Sequence, residues 1–540
     1  MTTDQHRPRW AGPADPAVGD TGVYDTLMRL DEPVYIVRGP YGLGAAAGGT
    51  LTGDGPHEVV AAAPPLGPER LGSARFLAAH GLQQAYMSGA MANGIASADL
   101  VIAMARAGFL GSYGAAGLLP EAVEKALIRF RDEIPGLGYA CNLIHSPSED
   151  RLERTAVDLF LTYGVPCVEA SAFLKLTPHL VRYRLAGLRA GGPDGVIAAN
   201  RVIAKISRTE TAELFMRPAP EAMVRGLLAD GLITEEQARL ASRVPLADDI
   251  TVEADSGGHT DRRPLPALLP VIMRQRDAIM QEAGYAERIR IGAAGGIGTP
   301  DAAAAAFAMG ADYVVTGSVN QSCVEAGTSP RVKEMLAQAG IADFDMAPAA
   351  DMFEMGVELQ VLKRGTFFPM RAKQLYDLYR TYDGIEGLPQ DVRARVEQQI
   401  FRRPLDSVWE ETAEYFARRD PGQLARAEGH PKRRAALVFR WYLGMASRWA
   451  KTGEADRAVD YQIWCGPAMG SFNSWVRGTY LAAPEHRRVA DVGRQIMKGA
   501  AFHQRLAMLR AAGVAFPAGI ATRPSPEDSA PRDSSVGVGQ

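Results

Sequence analysis

From about residue 85 to residue 316 the chain alternates short apolar runs with longer stretches of helical spacing, and few folds accommodate that rhythm. The apolar runs fall at 84–90, 109–114, 136–144, 166–170, 201–207, 249–254, 289–294 and 312–316. Most intervals between them have helical pattern and length, most clearly 97–107, 120–131, 150–162 and 300–309. Strands that alternate with helices predict a parallel sheet covered by helices. Eight such units over about 240 residues match the size of an α/β protein of the (β/α)8 TIM barrel type. An open doubly wound sheet is the other arrangement the pattern allows.

The remaining sequence is expected to be attached to that barrel, set at 84–350. Residues 1–20 are rich in Pro, Gly and Asp and read as a flexible N-terminus, followed by a small N-terminal subdomain at 21–83. The interval between the fifth and sixth strands is too long, and 207–248 reads as a helical insertion, either a wall of the active site or a surface decoration. Past residue 350 the alternation stops. "MFEMGVELQVLKRGTFFPMRAKQLYDLYRTYDGI" and "PKRRAALVFRWYLGMASRWA" read as helical, within a C-terminal region at 351–515. Residues 516–540 read as a disordered tail.

Composition narrows the function classes. A formal net charge of −3 gives no bias toward nucleic acid or anionic membrane. The first residues lack a signal-peptide core, and no stretch is apolar for long enough to span a bilayer. The four cysteines, Cys141, Cys167, Cys323 and Cys465, are far apart and form no CxxC, which argues against a disulfide framework or a zinc site. A reduced, cytoplasmic enzyme is the expectation.

In such a barrel the chemistry gathers at the C-terminal strand ends. After strand seven come Gly295 and Gly296, then a helix start at Thr299-Pro300, with Thr299 as N-cap and Pro300 at the first helical position. Glycines let backbone N–H groups close on a phosphate. Gly317 and Ser318 after strand eight add donors, so the two loops predict a bound phosphate. "GGIG" resembles a dinucleotide fingerprint superficially, but Gly317-Ser318 stands where that fold wants an acid for a ribose. After strand six, "EADSGGHT" places Gly257 and Gly258, which would let the chain approach a flat ligand, before His259. A histidine there suits general acid–base work; a loop histidine held by a carbonyl is the plainer reading. His145, in "CNLIHSP", is a second strand-end histidine. Lys205 ends strand five and suits stabilisation of negative charge, or an ion pair with Glu253. Asn142 suits a polar ring edge or a helix cap. "VEASAF", at the end of strand four, yields no reading. Cys323 is expected to be a packed thiol.

These motifs resemble a known superfamily. "SGAMANGIASADLVIAMARAGFLGSYGAAGL", "GGH" and "GAAGGIGTPDAAAAAFAMGADYVVTGS" are similar to nitronate monooxygenases and flavin-dependent enoyl reductases, which are FMN-binding (β/α)8 barrels. "EADSGGHTDRRPLPALLPVI", "GTFFPMRAKQLYDLYRTYDGI" and "DYQIWCGPAMGSFNSWVRGTYL" resemble the PfaD family, trans-acting enoyl reductases of polyunsaturated fatty acid and polyketide synthases. The resemblance covers roughly residues 20–515.

It implies an FMN whose phosphate lies at Gly295, Gly296, Gly317 and Ser318. It also implies a flavin ring over Ala90, Met91 and Ala92, Asn142 and Lys205 at the ring's polar edge, and His259 near the reacting carbon. The implied reaction reduces the double bond of an enoyl thioester on an acyl carrier protein with NADPH or NADH. Nitronate oxidation, a nucleotide dehydrogenase using Cys323, and a non-catalytic synthase scaffold are the rival readings; a homodimer stays open. An acidic carrier would want a basic surface with apolar spots. Arg433, Arg434, Arg440 and Arg448 with Trp441 and Trp449 are the candidates, against an ordinary solvated helix with core aromatics.

Overall fold

The computed structural model describes residues 8–40, 42–145, 150–192, 195–517 and 520–526. The eight expected runs form eight parallel strands: β1 (Tyr86–Ser88), β2 (Leu110–Tyr113), β3 (Ala140–Ile144), β4 (Cys167–Ser171), β5 (Arg201–Ile206), β6 (Asp249–Glu253), β7 (Arg290–Ala294) and β8 (Tyr313–Thr316). They close in sequence order, β8 pairing with β1 and β4 with β5. Successive side chains of a strand point to opposite faces. Met87, Leu110, Ala140, Cys167, Ile203, Ala294, Tyr313 and Val315 fill the barrel, while their neighbours pack on the surrounding helices. The expected cap is in place, Thr299 Oγ1 accepting from Ala302 N, and Ser97 Oγ likewise accepts from Leu100 N.

The N-terminal end of the barrel is closed by the helix Ala74–His80. Phe76 stacks on Tyr313 at 4.1 Å. His80 Nε2 lies 2.9 Å from Asp249 Oδ2, and Arg290 grips the same carboxylate through Nε and Nη2. Burial alone would raise the Asp249 pKa; the charges of Arg290 and His80 and their hydrogen bonds overcome it and hold the carboxyl well below the usual range.

The helix after β8 comes from the far end of the chain. Val489–Ala511 packs against both Pro300–Ala308, the helix after β7, and Ala98–Arg106, the helix after β1. It therefore occupies the eighth helical position, and residues 318–488 are an excursion from the C-terminal face that returns to complete the ring. The expected boundary at 350 does not separate barrel from appendage. The stretch after 350 that reads as helical with Pro and Gly breaks also contains a strand. Glu358–Leu362 pairs antiparallel with Phe344–Pro348 and with Gly258–His259 before the helix Phe368–Thr381 begins.

The N-terminal subdomain is a five-stranded antiparallel sheet. Arg9–Ala11, inside the segment expected to be loose, is one of its strands and pairs with Thr50–Thr52 and His57–Ala63; residues 1–7 lie outside the described residues. The sheet is tied to the eighth helix by the buried Arg505, which donates to the carbonyls of Leu27, Arg29, Leu30, Glu32 and Pro64 at 2.9–3.3 Å. Part of the expected tail is also docked: Trp475 Nε1 donates to Thr522 O, and Gln495 Nε2 to Ser525 O. Residues 518–519 and 527–540 lie outside the described residues.

The 207–248 insertion contains Thr209–Met216, Glu221–Ala229 and Glu235–Leu240. The first packs on the helix Leu265–Ala283, the others on Pro178–Ala186, so it joins the outer helical layer. Between β4 and β5 a small hairpin pairs Leu188–Ala190 with Val196–Ala198.

Two outcomes follow from these ties. Arg505→Met leaves five carbonyls without their donor, a loss of about 3–5 kcal/mol, and limited proteolysis should then cut within residues 8–70 before the barrel unfolds. Asp249→Asn breaks a buried pair at a cost of about 3–5 kcal/mol. Because the folded carboxyl is depressed, its stabilisation is complete above about pH 4 and fades as the pH falls through the folded value. The gap in melting temperature between wild type and Asp249→Asn should therefore narrow on acidification; a gap that widens refutes the assignment.

Candidate functional site

At the C-terminal half of the barrel the inward positions carry polar groups from four adjacent strands: Asn142 on β3, Glu169 on β4, Lys205 on β5 and Glu253 on β6. Lys205 Nζ lies 3.3 Å from Glu253 Oε1, so the ion-pair reading of this lysine holds. Burial would lower the Lys205 pKa, but the carboxylates of Glu253 and Glu169 outweigh it and hold it above its ordinary value. The ammonium is thus charged at neutral pH and remains about one-fifth exposed at the mouth. Asn142 Nδ2 donates to Glu169 O and Ser171 Oγ, neither of them a helix cap.

Glu169 is the residue that sequence reasoning missed. It lies in the uninterpreted "VEASAF", where an acid at an inward position of a buried strand was the available signal. Its carboxylate crosses the barrel axis to accept from Ala90 N at 2.9 Å through Oε2, while buried Oε1 has no partner among the described residues. It thereby joins β4 to the loop after β1 that holds Ala90, Met91 and Ala92.

The same loop is held from above. Asn93, at φ 59°, takes a hydrogen bond on its carbonyl from Lys451 Nζ at 2.5 Å, and its Nδ2 donates to Ser447 Oγ at 3.3 Å. Both partners lie on the helix Pro431–Thr452 of the excursion. Burial lowers the Lys451 pKa.

The glycine loops divide into two kinds. A Cβ on Gly257 would sit 2.7 Å from Cys465 Cα, and one on Gly295 would sit 2.7 Å from the Ala254 carbonyl carbon. Those glycines make room for neighbouring backbone, which corrects the ligand-approach reading of Gly257. Gly258, at φ +81°, meets only Trp464 Cβ, at 4.0 Å. Gly296, at φ +73°, and Gly317 face open space, with no described heavy atom within 4 Å of a Cβ. Ser318 opens a helical turn, and its Oγ accepts from Gly466 N at 3.2 Å. The two open loops and the charged Lys205 fit a ligand with a phosphate at one end and a polar, electron-rich edge at the other.

The two histidines are not joined to this ring. His259 lies on a two-residue strand with Nε2 3.2 Å from Asp351 Oδ1 and its side chain 43% exposed. Burial would raise the Asp351 pKa, but the His259 hydrogen bond and charge and the more distant Arg440 bring it below its usual value. His145 faces the helix layer: Nδ1 lies 3.1 Å from Glu153 Oε2, and the ring stacks on Phe173. Cys323 is fully buried and its thiol is pushed up by burial, which removes the nucleophile a covalent nucleotide-dehydrogenase reading requires.

The basic patch expected on 431–450 is largely committed internally. Arg434 pairs with Glu386 at 3.0 Å and lies over Trp409, Arg440 faces Glu354 at 3.6 Å, and Arg433 donates to Gln423. Trp441 donates to Glu411 and Trp449 is buried. Arg448 remains exposed.

Lys451→Met should speed hydrogen exchange at the amides of residues 90–96, with Lys451→Arg restoring wild-type rates. Equal exchange in all three proteins would show that the helix does not hold the loop.

Comparison with known proteins places the geometry. A family model described as the N-terminal domain of the fatty acid synthase subunit PfaD matches residues 10–65, and one described as the inserted helical domain of acyl-carrier-protein S-malonyltransferase matches residues 382–461. A polyunsaturated fatty acid synthase subunit of Thraustochytrium sp. is 49% identical over 491 residues, 90% of this chain and 32% of that protein. The polyketide biosynthesis protein PksE of Bacillus subtilis is 45% identical over 441 residues, 81% of this chain and 57% of its own length. The chain thus spans about a third of the Thraustochytrium protein and little more than half of PksE. The crystal structure of the enoyl reductase domain of MlnA, from the macrolactin biosynthesis cluster of Bacillus amyloliquefaciens, matches with a TM-score of 0.77 at 40% identity, covering 82% of this chain and 98% of that one. With that identity sustained over nearly the whole of a solved relative, the chain belongs to the PfaD family.

Proposed function

We propose that the chain is an FMN-dependent enoyl reductase acting in trans on enoyl thioesters carried by an acyl carrier protein, with NADPH or NADH as reductant, in polyunsaturated fatty acid or polyketide assembly. The observation that carries this reading is the charged Lys205, set between Glu253 and Glu169 at the barrel mouth beside the two open loops of Gly296 and Gly317. The likeness to an enoyl reductase domain supports the reaction class.

Gly295, Gly296, Gly317 and Ser318 would hold the cofactor phosphate, Ala90, Met91 and Ala92 would underlie the ring, and Asn142 and Lys205 would face its polar edge. The chemistry FMN supplies when bound is hydride transfer, from the nicotinamide and on to the carbon β to the thioester carbonyl.

The residues of the chain orient the reactants and handle charge and protons. Glu169 and Lys451 fix the loop after β1 from below and above, so that its backbone is set before substrate arrives. The Lys205 ammonium stabilises negative charge at the polar edge. His259 delivers the proton to the α-carbon. Asp351 holds Nε2, so the proton is delivered through Nδ1, and the exposed side chain stays in contact with solvent.

The test begins with the visible spectrum of the purified protein, which should show a flavin that NADPH bleaches. Crotonyl thioester with NADPH should be consumed and a nitronate with O2 should not; the opposite preference favours the nitronate oxidase reading. His259→Ala should keep the flavin spectrum and lose roughly 100-fold in kcat, within the usual range for a general acid. Turnover equal to wild type would remove His259 from the reaction. Lys205→Met should weaken FMN retention and lower kcat together.

A further inference from the structure

A second cavity lies in the excursion, beside the helix Ala468–Trp475. Its volume is about 330 Å³, and its walls include Arg364, Asn473, Ser474, Arg477 and Arg487, with no carboxylate among its lining residues. Arg487 is fully buried. Its guanidinium donates to Leu481 O, Ala482 O, Ser322 Oγ and Asn473 Oδ1, all of them neutral. No acid lies within ion-pair distance of it among the described residues. Other buried arginines of this protein are neutralised: Arg184 by Asp248 at 2.7 Å, Arg290 by Asp249 at 2.5 Å, Arg276 by Asp277 at 2.6 Å. Arg505, which also lacks an acid within ion-pair distance among the described residues, gives both Nη groups to five carbonyls in a packed interface that borders no such cavity. Arg487 differs because it lies against a cavity that carries two further guanidiniums. Burial pushes its pKa down to about 10, against the smaller opposing pull of Cys323 and Glu485.

The rim adds to the excess. Arg477 is exposed with no acid beside it among the described residues, and Arg364 shares one carboxylate, Asp343, at 3.3 Å. Asp343 is itself engaged by Gly340 N at 2.7 Å. Ser474 brings a hydroxyl to the same wall, where the Asn473 amide is already engaged by Leu336 O, Ala339 O and Arg487. Guanidiniums are suited to phosphate through their forked donors, and the volume accommodates a phosphate with part of the group that bears it. A link to the barrel mouth is short: Arg487 Nη1 reaches Ser322, one turn beyond Ser318.

We propose that this cavity is a second phosphate site, distinct from the loops of Gly296 and Gly317, which binds a phosphate of one of the reactants. The choice of reactants rests on the enoyl-reductase reading; the binding itself does not. Two sources share the chemistry, the phosphodiester of a phosphopantetheine arm and the adenosine 2′-phosphate of NADPH.

The test uses the full-length protein saturated with FMN and the double variant Arg364→Gln, Arg477→Gln, which leaves buried Arg487 in place. Calorimetric titration with inorganic pyrophosphate at low salt should give binding that is at least 10-fold weaker in the variant and that weakens with added salt in the wild type. Turnover of an N-acetylcysteamine thioester with NADH, which lacks both phosphates, should be unchanged. The ratio of KM values for that thioester and for a phosphopantetheine thioester should collapse about 10-fold in the variant if the arm is the source. The ratio for NADH and NADPH should collapse instead if the nucleotide is. Pyrophosphate binding that is equal in the two proteins, or both ratios unchanged, overturns the proposal. A protein that binds pyrophosphate as stated yet reduces no enoyl thioester would overturn the functional reading and leave the site standing.

Discussion

A parallel barrel is stable only when all eight strands are covered on their outer face, because its strands are apolar on both sides. Here the eighth cover arrives from the far end of the chain, and the rest of the structure follows from that constraint. Val489–Ala511 must reach the gap between the helices after β7 and β1, so everything from Ser318 to Arg488 leaves and re-enters at one end of the barrel. The returning helix also carries Arg505, which fastens the N-terminal sheet by five backbone carbonyls. One helix thus joins three regions that the sequence separates.

The same route explains why the candidate site has two shells. The barrel supplies the lower one, in which strand alternation brings Asn142, Glu169, Lys205 and Glu253 to the axis. The excursion supplies the upper one. Lys451 and Ser447 hold Asn93, Cys465 packs against Gly257, and Gly466 bonds Ser318. The loops after β1, β6 and β8 are therefore each held from above by the excursion, and the loop after β1 is held from both sides. Such double support narrows the geometry at a site and leaves less freedom to be lost when a reactant binds.

Charge follows a similar logic at the two ends of the barrel. At the N-terminal end Asp249 is neutralised by Arg290 and His80 and no open group remains, which is the signature of a structural pair. At the C-terminal end Lys205 keeps its charge and stays partly exposed between two acids, while an oxygen of Glu169 has no partner among the described residues. Buried groups with unmet capacity cost stability, and their concentration at one rim distinguishes the candidate site from the structural pair.

The sequence by itself determined the alternating α/β elements. Eight apolar runs at regular spacing, with Ser97 and Thr299 at helix starts, leave a closed barrel or an open doubly wound sheet, because local pattern sets element type and short connections set neighbours. It also pointed to the glycine-bearing strand ends as the candidate site, with Lys205 among the groups there. Tertiary structure alone decided the partners. The strand Glu358–Leu362 read as helix because it lies in a helical context and gains its hydrogen bonds from Phe344–Pro348 and from Gly258–His259, the latter about a hundred residues away. Gly257 read as a ligand contact because nothing local reveals that Cys465 presses against it. Glu169 went unread because an acid acquires meaning only from what it reaches, here Ala90 across the barrel. The basic face of 431–450 read as a docking surface because the acids that neutralise it, Glu386 and Glu354, come from other elements. Period and propensity are written along the chain, but proximity between distant segments exists only once the barrel has closed and its last helix has returned.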